Sequence, residues 1–174
     1  SFDDKELVSF GLADERGYLT NAGALIADEC PIRCSRLFCT RWNGLNKSGG
    51  TIDALDDAEY EGSIISLIEN GENFIKRNAK MMWRKTANSR EEMPEYVERS
   101  YHEALVNGLG HRDYLIYGSG FGKIISGYEF QKNYTDNKKP TFRSDRYQFT
   151  VIMPNLNYVP QGVPQGLPGY GYDK

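Results

Sequence analysis

Glu103-Ala-Leu-Val-Asn107 sets a carboxylate and a carboxamide four residues apart, and side chains at that spacing share one face of a helix. His111 follows about one turn later. A carboxylate in such a stripe can act as a base, an amide oxygen can ligate a hard cation, and an imidazole can donate to a phosphate. Gly118-Ser-Gly120-Phe-Gly122 comes next, ahead of a helix-like stretch. Bare backbone N–H groups that lead into a helix N-terminus favour anions. Glu103, Asn107, His111, Gly118, Gly120 and Gly122 are therefore the candidate site, and its chemistry points to a nucleotide. Each residue also has a plainer reading: a solvated helix flank, a capping histidine and a tight turn.

The elements that must position these residues follow from pattern. A helix is expected to open at Glu91-Glu-Met-Pro94, because proline and acidic residues suit a first turn, and to run to about Gly110. Val97, Tyr101, Ala104, Leu105 and Gly108 form its apolar face, with Glu103 and Asn107 on the flank. A further helix is expected over Lys123 to Phe130 and a strand over Asp145 to Met153, where Tyr147, Phe149, Val151 and Met153 alternate. Upstream, residues 2–10 read as a short helix closed at Gly11, and Thr20 caps a helix over Ala22 to Ala27. Arg36 to Trp42 and Lys80 to Lys85 read as strands, and 60–79 as the clearest amphipathic helix, with Ile64, Leu67, Ile68, Gly71 and Ile75 on one face. After Asn155 the repeat Val159-Pro-Gln-Gly162, Val163-Pro-Gln-Gly166 reads as a linker.

Composition excludes several classes. With 174 residues the chain can bury a sizeable core. A net charge of -3 rules out a polyanion binder as a whole, and Lys138, Lys139, Arg143 and Arg146 make only a modest basic cluster. No run of apolar residues is long enough for a membrane span. The opening Ser1-Phe-Asp-Asp-Lys5 lacks a signal-peptide profile and reads as a domain cut from a longer protein. Cys30, Cys34 and Cys39 are odd in number, without paired CxxC spacing, which fits reduced thiols in a cytoplasmic protein better than zinc.

Leu19-Thr-Asn-Ala-Gly23, Met93-Pro-Glu-Tyr96, Glu103-Ala-Leu-Val-Asn107, His111-Arg-Asp-Tyr114 and Gly118-Ser-Gly-Phe-Gly122 stand in an order that resembles a bacterial and archaeal family. That family is described as transcriptional regulators or RecG-related ATP-dependent helicases, with a Schlafen-type AlbA domain, a divergent ATPase region and a winged helix. The resemblance covers nearly all of residues 1–155. The ATPase region is in turn similar to the GHKL group, which includes gyrase, MutL and histidine kinases. It implies an N-box helix in which Glu103 orients or activates water and Asn107 ligates Mg²⁺ through the nucleotide phosphates. It implies that Gly118, Gly120 and Gly122 form the phosphate cradle, with His111 as a weaker phosphate contact.

Two departures qualify the resemblance. The adenine-binding Asp-x-Gly-x-Gly segment of GHKL proteins does not occur between Asn107 and Gly118, where the family carries several tens of further residues. Either a stretch is absent from the sequence near Ile116 to Gly118, or the chain is a shortened variant, in which case ATP binding is not expected. A RecG-type motor also needs a P-loop. Gly122-Lys123 has Tyr117 where the first glycine should stand and Ile124 where Ser or Thr should follow, so no motor is expected.

The expected fold is α/β, an α+β sandwich: an N-terminal supporting half over 1–90, a divergent GHKL-like ATP-binding half over 91–155 and a Pro/Gly-rich linker over 156–174. The expected function is an ATP-binding regulatory module of a cytoplasmic, DNA-associated transcriptional regulator, with weak Mg²⁺-dependent ATPase as its activity, DNA contacted through other domains and homodimerisation open. The alternative is a non-catalytic interaction or dimerisation module.

Overall fold

The computed structural model describes residues 3–33, 35–45, 54–110, 120–145 and 148–159. The chain is a mixed α+β fold, with five helices and three separate two-stranded antiparallel sheets among the described residues.

The N-terminal unit is a pair of short helices. Asp3 caps α1 (Asp4–Ser9) through a reciprocal box with Glu6. Gly11 turns the chain at φ 69, in the left-handed region that glycine enters without cost. Thr20 caps α2 (Asn21–Ile26) with its hydroxyl oxygen accepting from the Gly23 N–H, as its sequence position implies. α1 buries no residue.

Strand β1 (Arg36–Trp42) pairs with β2 (Ala54–Glu61), a strand the sequence pattern does not announce. Helix α3 (Ile64–Asn78) begins after Ser63, which caps it, so Tyr60 and Glu61 end β2 instead of opening the expected 60–79 helix. Leu67, Gly71 and Phe74 are the buried residues of α3.

Strand β3 (Met81–Lys85) pairs with β4 (Arg90–Pro94). The expected helix start at Glu91 is therefore a strand, and α4 (Glu98–Gly110) begins later. Pairing with β3 outweighs the local acidic and proline signal. Pro94, which lacks an N–H, ends the strand opposite Met81. This hairpin straddles residue 90, so the two expected halves share a sheet.

Helix α5 (Gly120–Glu129) packs on α4, which also packs on α3. The two helices approach closely: Ser100 Oγ donates to the Ile124 carbonyl at 3.1 Å, and a Cβ at Gly127 would sit 2.3 Å from that hydroxyl oxygen. β5 (Thr141–Ser144) and β6 (Phe149–Ile152) form the third hairpin, narrower than the expected 145–153 strand. Leu67, Ile124, Tyr128 and Leu156 have no exposed surface. Leu156 also donates its N–H to the Glu95 carbonyl at 2.9 Å, so the folded part extends through it; residues 160–174 of the expected linker lie outside the described residues. Among the described residues no helix is long and apolar enough to cross a membrane.

Candidate functional site

Glu103 and Asn107 lie on α4 as the i, i+4 spacing requires. Tyr101, Ala104 and Leu109 beside them are buried, while both site residues are half-buried. The pair thus sits at the rim of the packed face. Glu103 has no hydrogen-bond partner among the described residues. Asn107 is different: its Nδ2 atom is buried and has no hydrogen-bond partner. A buried amide left unpaired costs about 1–3 kcal/mol, so this group is either a standing defect or a waiting donor. A half-turn of the carboxamide exchanges its oxygen and nitrogen, so the position can present either a donor or an acceptor.

Gly120 and Gly122 fall inside the first turn of α5, where the sequence placed them in a turn before a helix starting at Lys123. The first four N–H groups of a helix have no intrahelical partner, so the backbone donors remain available in this position. Gly122 is exposed, and nothing lies within 4 Å of where a Cβ would stand. Packing among the described residues therefore does not require glycine there. His111 and Gly118, together with the expected break near Ile116 to Gly118, lie outside the described residues.

The fold brings the two described parts of the site to one end of the α4–α5 pair. The Phe149 ring lies 3.2 Å from the Cβ position of Gly108, next to Asn107. The same ring is stacked on Phe121 at 5.8 Å between centroids, and Phe121 lies between the two α5 glycines. The Phe142 ring also meets Phe121, tilted by 39° at 4.4 Å between centroids. An aromatic wedge from β5 and β6 thus lies beside both the last turns of α4 and the first turn of α5.

The metal chemistry of this region is sparse. Among the described residues no group of three or more His, Cys, Asp or Glu could hold a metal ion. Cys30 and Cys39 are free thiols, and burial pushes Cys39 up to about 11, which keeps it protonated and unreactive. A shallow hollow elsewhere is lined by residues 91–93 and 130–133. None of the candidate residues lines it.

Sequence reasoning missed Glu95. It is buried, and its carboxylate accepts from the Lys80 N–H and from Asn155 Nδ2, each at 2.9 Å, with Arg41 Nη2 at 3.7 Å. Arg41 in turn lies over the Tyr96 ring at 5.3 Å. Glu95 is a structural junction between the three sheet-bearing regions. Its partners are 15 and 60 residues away, so no local pattern announces it.

No protein-family model matches this sequence, and no curated protein matches it. Among solved structures, the chain is similar to the crystal structure of the DIP2311 protein from Corynebacterium diphtheriae. The TM-score is 0.57 at 14% identity, over 89% of this chain and 41% of that one. The likeness concerns the fold alone. This chain spans about two fifths of that protein's length.

Proposed function

We propose that this chain is an ATP-binding regulatory module of a cytoplasmic transcriptional regulator, whose DNA contacts are made by other domains. The observation that carries the reading is the buried, unpartnered Asn107 amide, one turn from the carboxylate of Glu103, on a helix whose Gly108 meets the same Phe149 ring that stacks on Phe121 at the start of α5. The donor set suits Mg²⁺ held chiefly by phosphate oxygens, since Mg²⁺ keeps several non-protein ligands and one amide oxygen can complete its shell. Bound Mg²⁺ would neutralise phosphate charge. Asn107 would hold the nucleotide's cation, and Glu103 would orient or deprotonate water. The first-turn N–H groups of α5 would receive phosphate oxygens. His111 and Gly118 would extend the same contacts. Turnover, where it occurs, is weak hydrolysis without strand separation, since the chain carries no P-loop.

The test is thermal unfolding with ATP and Mg²⁺ titrated against the protein. A ligand at a hundred times its Kd adds ~2.7 kcal/mol of stability. Asn107→Ala should lose the Mg²⁺-dependent part of the shift. Gly122→Ala should unfold no earlier than the parent chain, because alanine favours a helix by up to ~1 kcal/mol over glycine and meets open space. It should nevertheless bind ATP more weakly, through loss of close backbone approach. No shift with the parent chain, or an equal shift in Asn107→Ala, defeats the reading.

A further inference from the structure

Two surfaces of this chain are apolar, exposed and oppositely charged. The first is the N-terminal helical pair. Phe10, Tyr18 and Leu19 are 64%, 71% and 51% exposed. They come from two segments tied together by the Thr20 hydroxyl donating to the Gly11 carbonyl at 2.7 Å and by a bridge between Ala13 and Leu19. Between Asp3 and Glu29 the sequence has seven carboxylates against two cations. The second surface is strand β3. Met81, Met82 and Trp83 are 54%, 49% and 55% exposed, and the hairpin around them carries Lys80, Arg84, Lys85 and Arg90 against Glu91 and Glu92, which pair opposite Arg84 and Trp83. Among the described residues β3 has β4 on one side only, and no strand pairs with its other edge.

Consecutive exposed apolar residues on an open strand edge mark an interaction surface. The excess of cations restricts what can cover it. Two β3 edges laid together would oppose like charges, which is unfavourable. The acidic, apolar N-terminal pair has the complementary character, and among the described residues the main packing partner of β3 is β4. We infer that the N-terminal helical pair of one copy docks on strand β3 of a second copy, and that the contact is reciprocal in a two-fold dimer. Reciprocity doubles the buried surface, and closed two-fold pairing is the commonest arrangement for identical chains. Opposite charges steer the encounter, while Trp83, Met82, Phe10 and Leu19 supply the apolar burial.

The experiment is sedimentation velocity on the purified chain over a concentration series, at low and high salt. A dimer is expected, weakened by salt because the steering charges are exposed. Reversing one surface (Lys80→Glu, Arg84→Glu, Lys85→Glu) or the other (Asp4→Lys, Glu15→Lys, Asp28→Lys) should weaken association by about tenfold or more. A chain carrying both sets should dimerise again. These positions are solvent-facing, and circular dichroism confirms that each variant folds. Leu19→Ser and Met82→Ser give a second, uncharged test and should also weaken the dimer. A chain that stays monomeric, a dimer indifferent to both reversals, or a double-reversed chain that remains monomeric overturns the inference. The pairing does not rest on the nucleotide reading: a monomer that ATP stabilises defeats this inference alone, and a dimer that ATP leaves untouched defeats that reading alone.

Discussion

Among the described residues, Ser35 Oγ, Asn107 Nδ2 and Tyr128 Oη are buried without a hydrogen-bond partner, in different settings. Tyr128 has no exposed surface. Burial alone raises its phenol well above the ordinary range, so it stays neutral and its hydroxyl serves no visible partner. Removing an unpaired buried hydroxyl while keeping the ring should cost nothing, and can return up to ~1 kcal/mol of stability. Tyr128→Phe is therefore expected to match or exceed the parent chain in denaturant unfolding. A loss larger than that would mean the hydroxyl has a partner in the folded protein. Asn107 is half-buried at the rim of a helix. Part of that residue faces solvent although its Nδ2 does not, whereas no part of Tyr128 does.

At the level of elements, α3 and α4 are joined by a polar clasp over their apolar contact. Glu72 Oε1 on α3 lies 2.6 Å from His102 Nδ1 on α4, and Lys76 Nζ reaches Glu72 at 3.3 Å and Glu98 at 3.6 Å. The hydrogen bond from His102, then those of Lys76, hold the Glu72 carboxyl below the usual carboxylate range. A carboxyl whose folded pKa is depressed stabilises the fold above its unfolded pKa, and that contribution fades as pH falls through the folded value. The melting temperature should drop as the solution is acidified below the ordinary carboxylate range, and Glu72→Gln should flatten that part of the curve. An unchanged profile in Glu72→Gln would remove the clasp from the account. Elements whose signal is local were legible in the sequence: the Thr20 cap, the β1 run, the apolar face of α3 and the Glu103–Asn107 spacing on α4. β2 was not, because Asp56, Asp57, Glu59 and Glu61 break any apolar alternation. It is a strand because β1 pairs with it, and Arg36 and Arg77 neutralise Glu59 and Asp56 at 3.0 and 3.1 Å. β4 was masked by a helix-start signal for the same reason, its partner lying in another segment. Of the site, the residue types were readable. The burial of Asn107 and the aromatic wedge of Phe121, Phe142 and Phe149 depend on tertiary packing that no spacing encodes.

For the molecule as a whole, the arrangement of three two-stranded sheets around a helical centre predicts uneven stability. An isolated hairpin is marginal in water and needs packing to persist. Every residue of β3 is exposed, so the β3–β4 hairpin relies on its anchorage. Glu95 supplies that anchorage by accepting from the Lys80 N–H at the base of β3 and from Asn155 Nδ2, with Arg41 close by. The α3–α4–α5 centre holds Leu67, Phe74, Tyr101, Ile124 and Tyr128 at no more than 4% exposure. Regions with few buried contacts open at lower free energy than the core. Hydrogen exchange should therefore be fast in β3 and slowest in α3 and the middle of α4. Glu95→Ala should widen the difference, because it leaves two donors and a guanidinium without their carboxylate, a loss of about 3 kcal/mol or more for a buried ionic group. Much of that loss should appear first as faster exchange across 80–95. The reason is geometric: Glu95 ties the hairpin to the C-terminal segment, whereas α3 and α4 are held by their own apolar contact. Uniform acceleration across hairpin and helices would show instead that the carboxylate supports the whole cooperative unit. Protection of β3 that rises with protein concentration would add the second copy's contribution to the same measurement, at the strand edge that the described residues leave open.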